Sequence, residues 1–216
     1  MSEMIEVRNV SKSFGDKTVI KNVSVVIEDG EYVVLSGPSG CGKTTMLHLI
    51  GGIEQPTEGD IYVNGKALSI RRNQRDFLKY EAAFLFQNFA LVDKKTVRQN
   101  LAMIPEDSRS GIGLAEALKY VGMTGCEDDK VYTLSGGEQQ RIALARVLMK
   151  RSNIIFADEP TGSLDRKNAE LVMRILKQMN DEGKSVVLVT HMDEFQTFAT
   201  KIVDLGNTGK GSFGKA

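Results

Sequence analysis

The loop Gly37-Pro38-Ser39-Gly40-Cys41-Gly42-Lys43-Thr44 constrains this chain most, because it fits G-x-x-x-x-G-K-[ST] at each fixed position. Such a loop works only between a strand and a helix. Its glycines let successive N–H groups turn toward a phosphate, and the helix that follows adds its positive end. The flanks agree: residues 32–36 are a short apolar run and residues 46–50 look helical. Lys43 is then placed to neutralise the β and γ phosphates, and the Thr44 hydroxyl to ligate Mg2+. The plain alternative, a glycine-rich turn, does not account for that context.

A second apolar run, 154–157, ends in Asp158-Glu159. A buried strand there delivers Asp158 to its carboxyl end, where ligands bind open α/β sheets, so that it can hold the Mg2+ shell. Glu159 follows, placed to polarise an attacking water. Taken alone, the two acids read equally well as a solvated strand end or helix start. Leu134-Ser135-Gly136-Gly137-Glu138-Gln139-Gln140 also sits at a helix start and offers free N–H groups and a hydroxyl to an anion. Alone, its plainer reading is an N-cap.

Around these motifs, β patterns cover 5–10, 18–27 and 60–63, the last followed by the turn Asn64-Gly65. A charged helix at 71–80 precedes a strand at 82–86. Residues 96–132 turn helical and polar, clearest at 115–121. Then come a helix (138–149), a strand (153–157), a helix (169–180), a strand (185–189), a short helix and a last strand (201–204). This alternation predicts an α/β fold whose mostly parallel sheet is covered on both faces. A chain of 216 residues supports one domain with room for a small subdomain. The Gly- and Lys-rich tail at 206–216 is expected to fray.

Lys plus Arg and Asp plus Glu both number 28, so nothing in the bulk charge argues for a nucleic-acid partner, and none is expected. Two cysteines, Cys41 and Cys126, cannot build a disulfide framework and suit a reducing compartment. Neither end carries an apolar run long enough to cross a bilayer, and the opening Met-Ser-Glu-Met-Ile-Glu is not a signal peptide, so a cytoplasmic location is expected.

Together the three motifs resemble those of the ATP-binding cassette (ABC) ATPases, over nearly the whole chain. The resemblance implies a P-loop NTPase with a RecA-like parallel-sheet core, an N-terminal antiparallel β subdomain and a small helical subdomain at about 88–150, in one domain over 1–216. It implies ATP and Mg2+ as cofactors, with nucleotide contacts running from Gly37 through Thr44 to Thr45 and Cys41 contributing mainly backbone. In the family, groups equivalent to Ser135, Gly136 and Gly137 bind the γ-phosphate held by the loop of a facing subunit. The implied partner is a second copy, packed head to tail.

Other elements fall in the family's order. Gln87 resembles the glutamine that reaches Mg2+ and the attacking water and couples ATP to a membrane partner. Ser163-Leu164-Asp165 resembles the loop that crosses the dimer seam, and His191, after Thr190, resembles the histidine that contacts the γ-phosphate. Phe14 stands where the family places an aromatic on adenine. Singly, Gln87 and Asp165 also read as solvated loop residues, His191 as a surface histidine and Phe14 as core. Cys126 and His48 read as ordinary packing or surface residues.

The runs Gln87-Asn88-Phe89-Ala90-Leu91-Val92, Thr96-Val97-Arg98-Gln99-Asn100, Glu138-Gln139-Gln140-Arg141 and Thr161-Gly162-Ser163-Leu164-Asp165 look most like the subfamily serving macrolide export, lipoprotein release and bacteriocin export. This implies an ATPase subunit on the inner face of the cell membrane, powering an integral membrane permease that exports a peptide, bacteriocin or lipophilic compound. The alternative is an ATP-driven mechanical regulator of a membrane protein that moves no solute. The apolar residues Phe89 to Val92 either line a groove for a permease helix or bury themselves in the helical subdomain. That subdomain is expected to be trimmed, since 100–134 looks short for the family.

Overall fold

The computed structural model describes residues 3–162, 164–206 and 214–215. Ser163 and most of the tail expected to fray therefore lie outside the described residues. Strands β1 (Glu3–Phe14), β2 (Lys17–Glu28), β4 (Glu58–Val63) and β5 (Lys66–Ala67) form an antiparallel sheet in the order β2-β1-β4-β5. β1 runs further than the alternation at 5–10 predicts. Register shifts, with Asn9 at φ 50°, let the strand bend and continue, and its polar end pairs through hydroxyls, Ser13 Oγ lying 2.9 Å from Thr18 Oγ1. Asn64 and Gly65 both take positive φ between β4 and β5, as the turn chemistry requires.

The second sheet is built from β3 (Tyr32–Ser36), β6 (Ala82–Leu85), β7 (Ile154–Asp158), β8 (Ser185–Val189), β9 (Lys201–Asp204) and the short β10 (Gly214–Lys215). Its order is β10-β9-β3-β8-β7-β6, and every pair but β10–β9 is parallel. Every residue of β7 and β8 is buried, as expected of strands covered on both faces. Helix α1 (Lys43–Ile50) lies between the sheets, burying Met46, Leu47, Leu49 and Ile50 in the core that joins them. α2 (Arg71–Tyr80) adds Phe77 to the same core.

The other face of the parallel sheet packs on α3 (Val97–Leu101), α4 (Leu114–Tyr120), α5 (Gly136–Met149) and α6 (Arg166–Asp181); α7 (Asp193–Gln196) follows β8. The segment read as broadly helical, 96–132, keeps only α3, α4 and short 3-10 turns at Glu106–Ser108 and Val131–Thr133. Glycines with positive φ at Gly111, Gly122 and Gly125 interrupt it, since each imposes a turn that a helix cannot continue through. Among the described residues, no helix is long and apolar enough to cross a membrane.

This topology sets the site. Each parallel strand from β3 to β6 ends at the same edge, so the turns after Ser36, Leu85, Asp158 and Val189 are brought side by side.

Candidate functional site

The loop after β3 curls as its glycines dictate. Gly37, Gly40 and Gly42 have φ of 140°, 77° and 97°. A Cβ on Gly42 would lie 2.8 Å from both Ile20 Cδ1 and Val19 Cγ1, so a larger residue there would collide with β2. Gly42 is also the N-cap of α1 and offers no side-chain acceptor, which leaves the first helical N–H groups available to an anion. Lys43 is buried, and its Nζ donates to the Gly37 and Pro38 carbonyls at 2.9 and 3.0 Å. The ammonium is thus held inside the curve by backbone carbonyls. Pro38, Ser39 and Gly40 are exposed at the tip, Cys41 is partly buried against the inter-sheet core, and Thr45 is partly buried behind Thr44.

Thr44 and Asp158 meet across this edge, Thr44 Oγ1 donating to Asp158 Oδ1 at 2.9 Å. Burial pushes the Asp158 carboxyl above the ordinary aspartate range; the Thr44 bond and nearby His48 pull it back, and Glu159 adds to the rise. A hydroxyl and a carboxylate beside a phosphate cradle suit Mg2+, which keeps several waters and binds through few carboxylates plus substrate phosphates.

The raised carboxyl has a consequence for stability. The folded chain holds this proton more tightly than the unfolded chain, so ionisation costs stability as pH rises above the ordinary aspartate value. Asp158→Asn removes the charge and keeps an acceptor for Thr44. We expect a higher nucleotide-free melting point at neutral pH, with the gain shrinking as pH falls toward the ordinary aspartate value, together with loss of Mg2+-dependent nucleotide binding. Differential scanning fluorimetry with and without Mg-ATP checks both.

Glu159, immediately beyond β7, has φ 43°, an unusual conformation for a non-glycine residue, and its N–H donates to the Val189 carbonyl at 3.0 Å. This turn aims its carboxylate at the end of β8, where His191 Nε2 lies 2.9 Å from Glu159 Oε1. The place a Cβ would take on Gly162 is 3.3 Å from Gln87 Nε2 and 3.6 Å from Glu159 Oε2, so the Gln87 amide and the Glu159 carboxylate converge there. The fold therefore brings Lys43, Thr44, Gln87, Asp158, Glu159 and His191 to one edge.

Ser135, Gly136 and Gly137 have other neighbours. Ser135 caps α5 in a capping box: its Oγ donates to Glu138 Oε2 at 2.7 Å, its N–H to the same oxygen at 2.8 Å, and the Glu138 N–H returns to Ser135 Oγ. The N-cap reading is thus correct for this chain's own hydroxyl. Gly136 faces Phe89, and Gly137 is pressed against Asn168, whose Nδ2 lies 2.7 Å from where a Cβ would stand. Asn168 ties two motifs together: its amide oxygen accepts from Arg141 of α5 at 2.5 Å, while its Nδ2 and N–H donate to Asp165 at 2.7 and 2.8 Å. Asp165 is the N-cap of α6 and is not a free loop residue. Nothing local marked Asn168, and Arg141 stood out only as the end of the Glu138–Arg141 run, because their pairing is made only by helix packing.

Phe14 is not core. It is 51% exposed, with Lys12 Nζ 4.9 Å above its ring, so one face is open to stacking. Cys126 is buried and bonded to the Met123 carbonyl, an ordinary packing residue.

Residues 89–92 divide between the two readings. Phe89 and Leu91 pack on the helical core, and Val92 is exposed. Ala90 lines a cavity of about 280 Å3 together with Phe84, Phe86, Met103, Ile104 and Pro105. Phe89 and Ala90 take positive φ, held there by Arg146, whose guanidinium donates to both carbonyls. Lys150, also in the wall, donates to the Lys79 and Ala82 carbonyls, and burial lowers its pKa to about 8.

A family profile described as ABC transporter matches residues 20–162. MJ1508 of Methanocaldococcus jannaschii, named an uncharacterized ABC transporter ATP-binding protein, is 40% identical over 213 residues, covering 94% of this chain and 95% of that protein. The macrolide export ATP-binding/permease protein MacB of Bdellovibrio bacteriovorus is 37% identical over 211 residues. That match takes in 94% of this chain but 32% of MacB, so the chain spans about a third of that relative. Among solved structures, a dimeric post-hydrolysis state of the ATP-binding cassette MJ0796 bound to ADP and Pi superposes with a TM-score of 0.85 at 34% identity, covering 98% of both chains.

Proposed function

The chain belongs to the ABC transporter ATP-binding family, and from that premise we propose that two copies close head to tail around two ATP molecules and drive an export permease in the membrane. One observation carries this reading. Lys43, the Thr44–Asp158 pair and the Glu159–His191–Gln87 cluster share one sheet edge, whereas Ser135 to Gly137 begin a helix seated against Phe89 and Asn168. A site needing both sets takes them from different chains.

In this reading the backbone N–H groups of 37–44 and Lys43 hold the phosphates of ATP, which the Phe14 ring orients by stacking on adenine. Thr44, Asp158 and Gln87 would hold Mg2+, which would supply positive charge to neutralise the phosphates. Glu159 takes the proton of the attacking water, Gln87 orients that water, and His191 holds Glu159 until the γ-phosphate arrives. Ser135, Gly136 and Gly137 of the second copy cap the γ-phosphate, so closure assembles the site and hydrolysis reopens it.

Residues 1–216 act as one ATP-binding domain, with a helical subdomain at about 88–150 that carries the partner surface. The groove of Ala90, Phe86 and Met103 lies directly beyond Gln87 and suits a short apolar helix of a permease. The likeness to MacB, whose name joins ATP-binding and permease functions, supports export, with the cassette peripheral on the inner membrane face. Because Met103 is 49% exposed, Met103→Glu is expected to leave the melting point of the isolated chain within about 2 °C. It should also reduce co-purification with the co-expressed permease by at least about tenfold. Undiminished capture would remove this groove as the docking site.

A further inference from the structure

Asp158 is gripped on one side only. Thr44 donates to its Oδ1 at 2.9 Å, while Nε2 of His48 lies 3.9 Å from its Oδ2, beyond hydrogen-bond distance. Thr44 and His48 stand four residues apart on α1, the spacing that sets two side chains on one face, so the same helix presents both groups to the two oxygens of one carboxylate. His48 Nε2 is fully buried and has no hydrogen-bond partner. A buried polar nitrogen without an acceptor is uncommon in a folded protein and calls for an explanation.

The ring is also fixed in place. Its edge meets Phe86 at 6.1 Å and 69°, Phe86 stacks on Phe84 at 5.5 Å, and Phe84 stacks on Phe156, two residues before Asp158, at 5.1 Å. This aromatic row holds the imidazole between α1 and the strand ends, with Nε2 toward the carboxylate. A residue needed only for packing here would carry no nitrogen at that point.

We propose that His48 is a positioning residue for the Mg-nucleotide site, its Nε2–H closing on Asp158 Oδ2 so that the carboxylate is held by both oxygens. The proposal rests on the reading that Thr44 and Asp158 serve Mg2+. A carboxylate held at one oxygen turns about its terminal torsion; held at both, it keeps a single orientation toward the metal's shell. Partners of this kind, one step removed from the ion, commonly alter metal affinity by about 10–100-fold.

The test compares His48→Phe, which keeps the ring and its contact with Phe86 but removes the N–H, with His48→Gln, which restores an N–H at similar reach. Binding of a fluorescent N-methylanthraniloyl ATP is titrated with Mg2+ and repeated in EDTA. We expect His48→Phe to raise the Mg2+ needed for half-maximal binding by about tenfold, with binding in EDTA unchanged, and His48→Gln to recover most of the loss. Histidine-selective 15N spectra of the nucleotide-free protein give a second readout, since the chain has two histidines and a His191→Gln variant assigns them. A His48 carrying a proton on Nε2, with a resonance that moves on Asp158→Asn, is expected.

An unchanged Mg2+ requirement in His48→Phe, or a His48 without a proton on Nε2, overturns the proposal. Equal impairment of the Gln and Phe variants with lowered melting points does so as well, by assigning the residue to packing. If the unaltered protein binds the nucleotide equally with and without Mg2+, the underlying site reading falls and takes the proposal with it. Should His48→Phe fail to fold, the tautomer of the unaltered protein decides.

Discussion

Glu159→Gln is expected to lower ATP turnover by about two to four orders of magnitude, the usual worth of a positioned general base, and to trap a dimer in Mg-ATP. The substitution keeps the shape of the side chain and an amide oxygen able to accept from His191, 2.9 Å from the present carboxylate. It removes the charge and the basicity that draw a proton from water. In the proposed site the nucleotide contacts come from Lys43 and the loop backbone, so the ATP concentration for half-saturation should stay within about threefold of the unaltered value. With binding intact and hydrolysis blocked, the closed state accumulates, and light scattering in saturating Mg-ATP should report twice the monomer mass. A rate within tenfold of the unaltered protein would move the base elsewhere. A chain that stays monomeric would count against closure around ATP.

Gly136→Asp is the second large effect, chosen because the fold separates its two consequences. Gly136 opens α5, has no positive φ, and a Cβ there would meet only Phe89 Cζ at an ordinary 3.7 Å. An acidic residue in the first turn complements the helix dipole, so the chain itself should be unharmed or stabilised by about 0.3–1 kcal/mol. Facing a phosphate from a second chain, the same carboxylate is repelled and takes the place of a donor. Loss of one such preorganised donor lowers turnover by about 10²–10³-fold, and added repulsion should exceed that. The neighbouring Gly137 would be a poor probe, because Asn168 already fills the space beside it.

Mixing gives the sharper outcome. Gly136→Asp and Lys43→Ala chains should each be inactive alone, yet a random equal mixture should regain roughly a quarter of the rate, since half the dimers are mixed and each contains one intact site. No recovery would count against halves supplied in trans.

Much of the fold was legible in the residues. The fully apolar runs at 154–157 and 186–189 became the bulk of the buried parallel strands β7 and β8, because such strands are covered on both faces and need no polar alternation. β1 was read too short, since alternation stops at its bulges while the backbone pairing continues. The stretch 96–132 was read too helical, since composition there resembles a helix while glycines at particular positions end one.

The sequence by itself determined the phosphate loop, the Asp158-Glu159 strand end, the Ser135-capped helix and the family. Each is a contiguous run in which residue type sets the local backbone directly: glycine permits positive φ, an apolar run forms a strand, and a serine caps a helix. Only the tertiary structure decided that Phe14 is open to solvent, that Ala90 and not Leu91 lines the groove, that Asn168 fastens Gly137 to Asp165, and that His48 points an unpartnered nitrogen at Asp158. These depend on which surfaces meet when elements distant in sequence pack together, and that meeting is set by the burial of whole faces, not by any one residue's local preference.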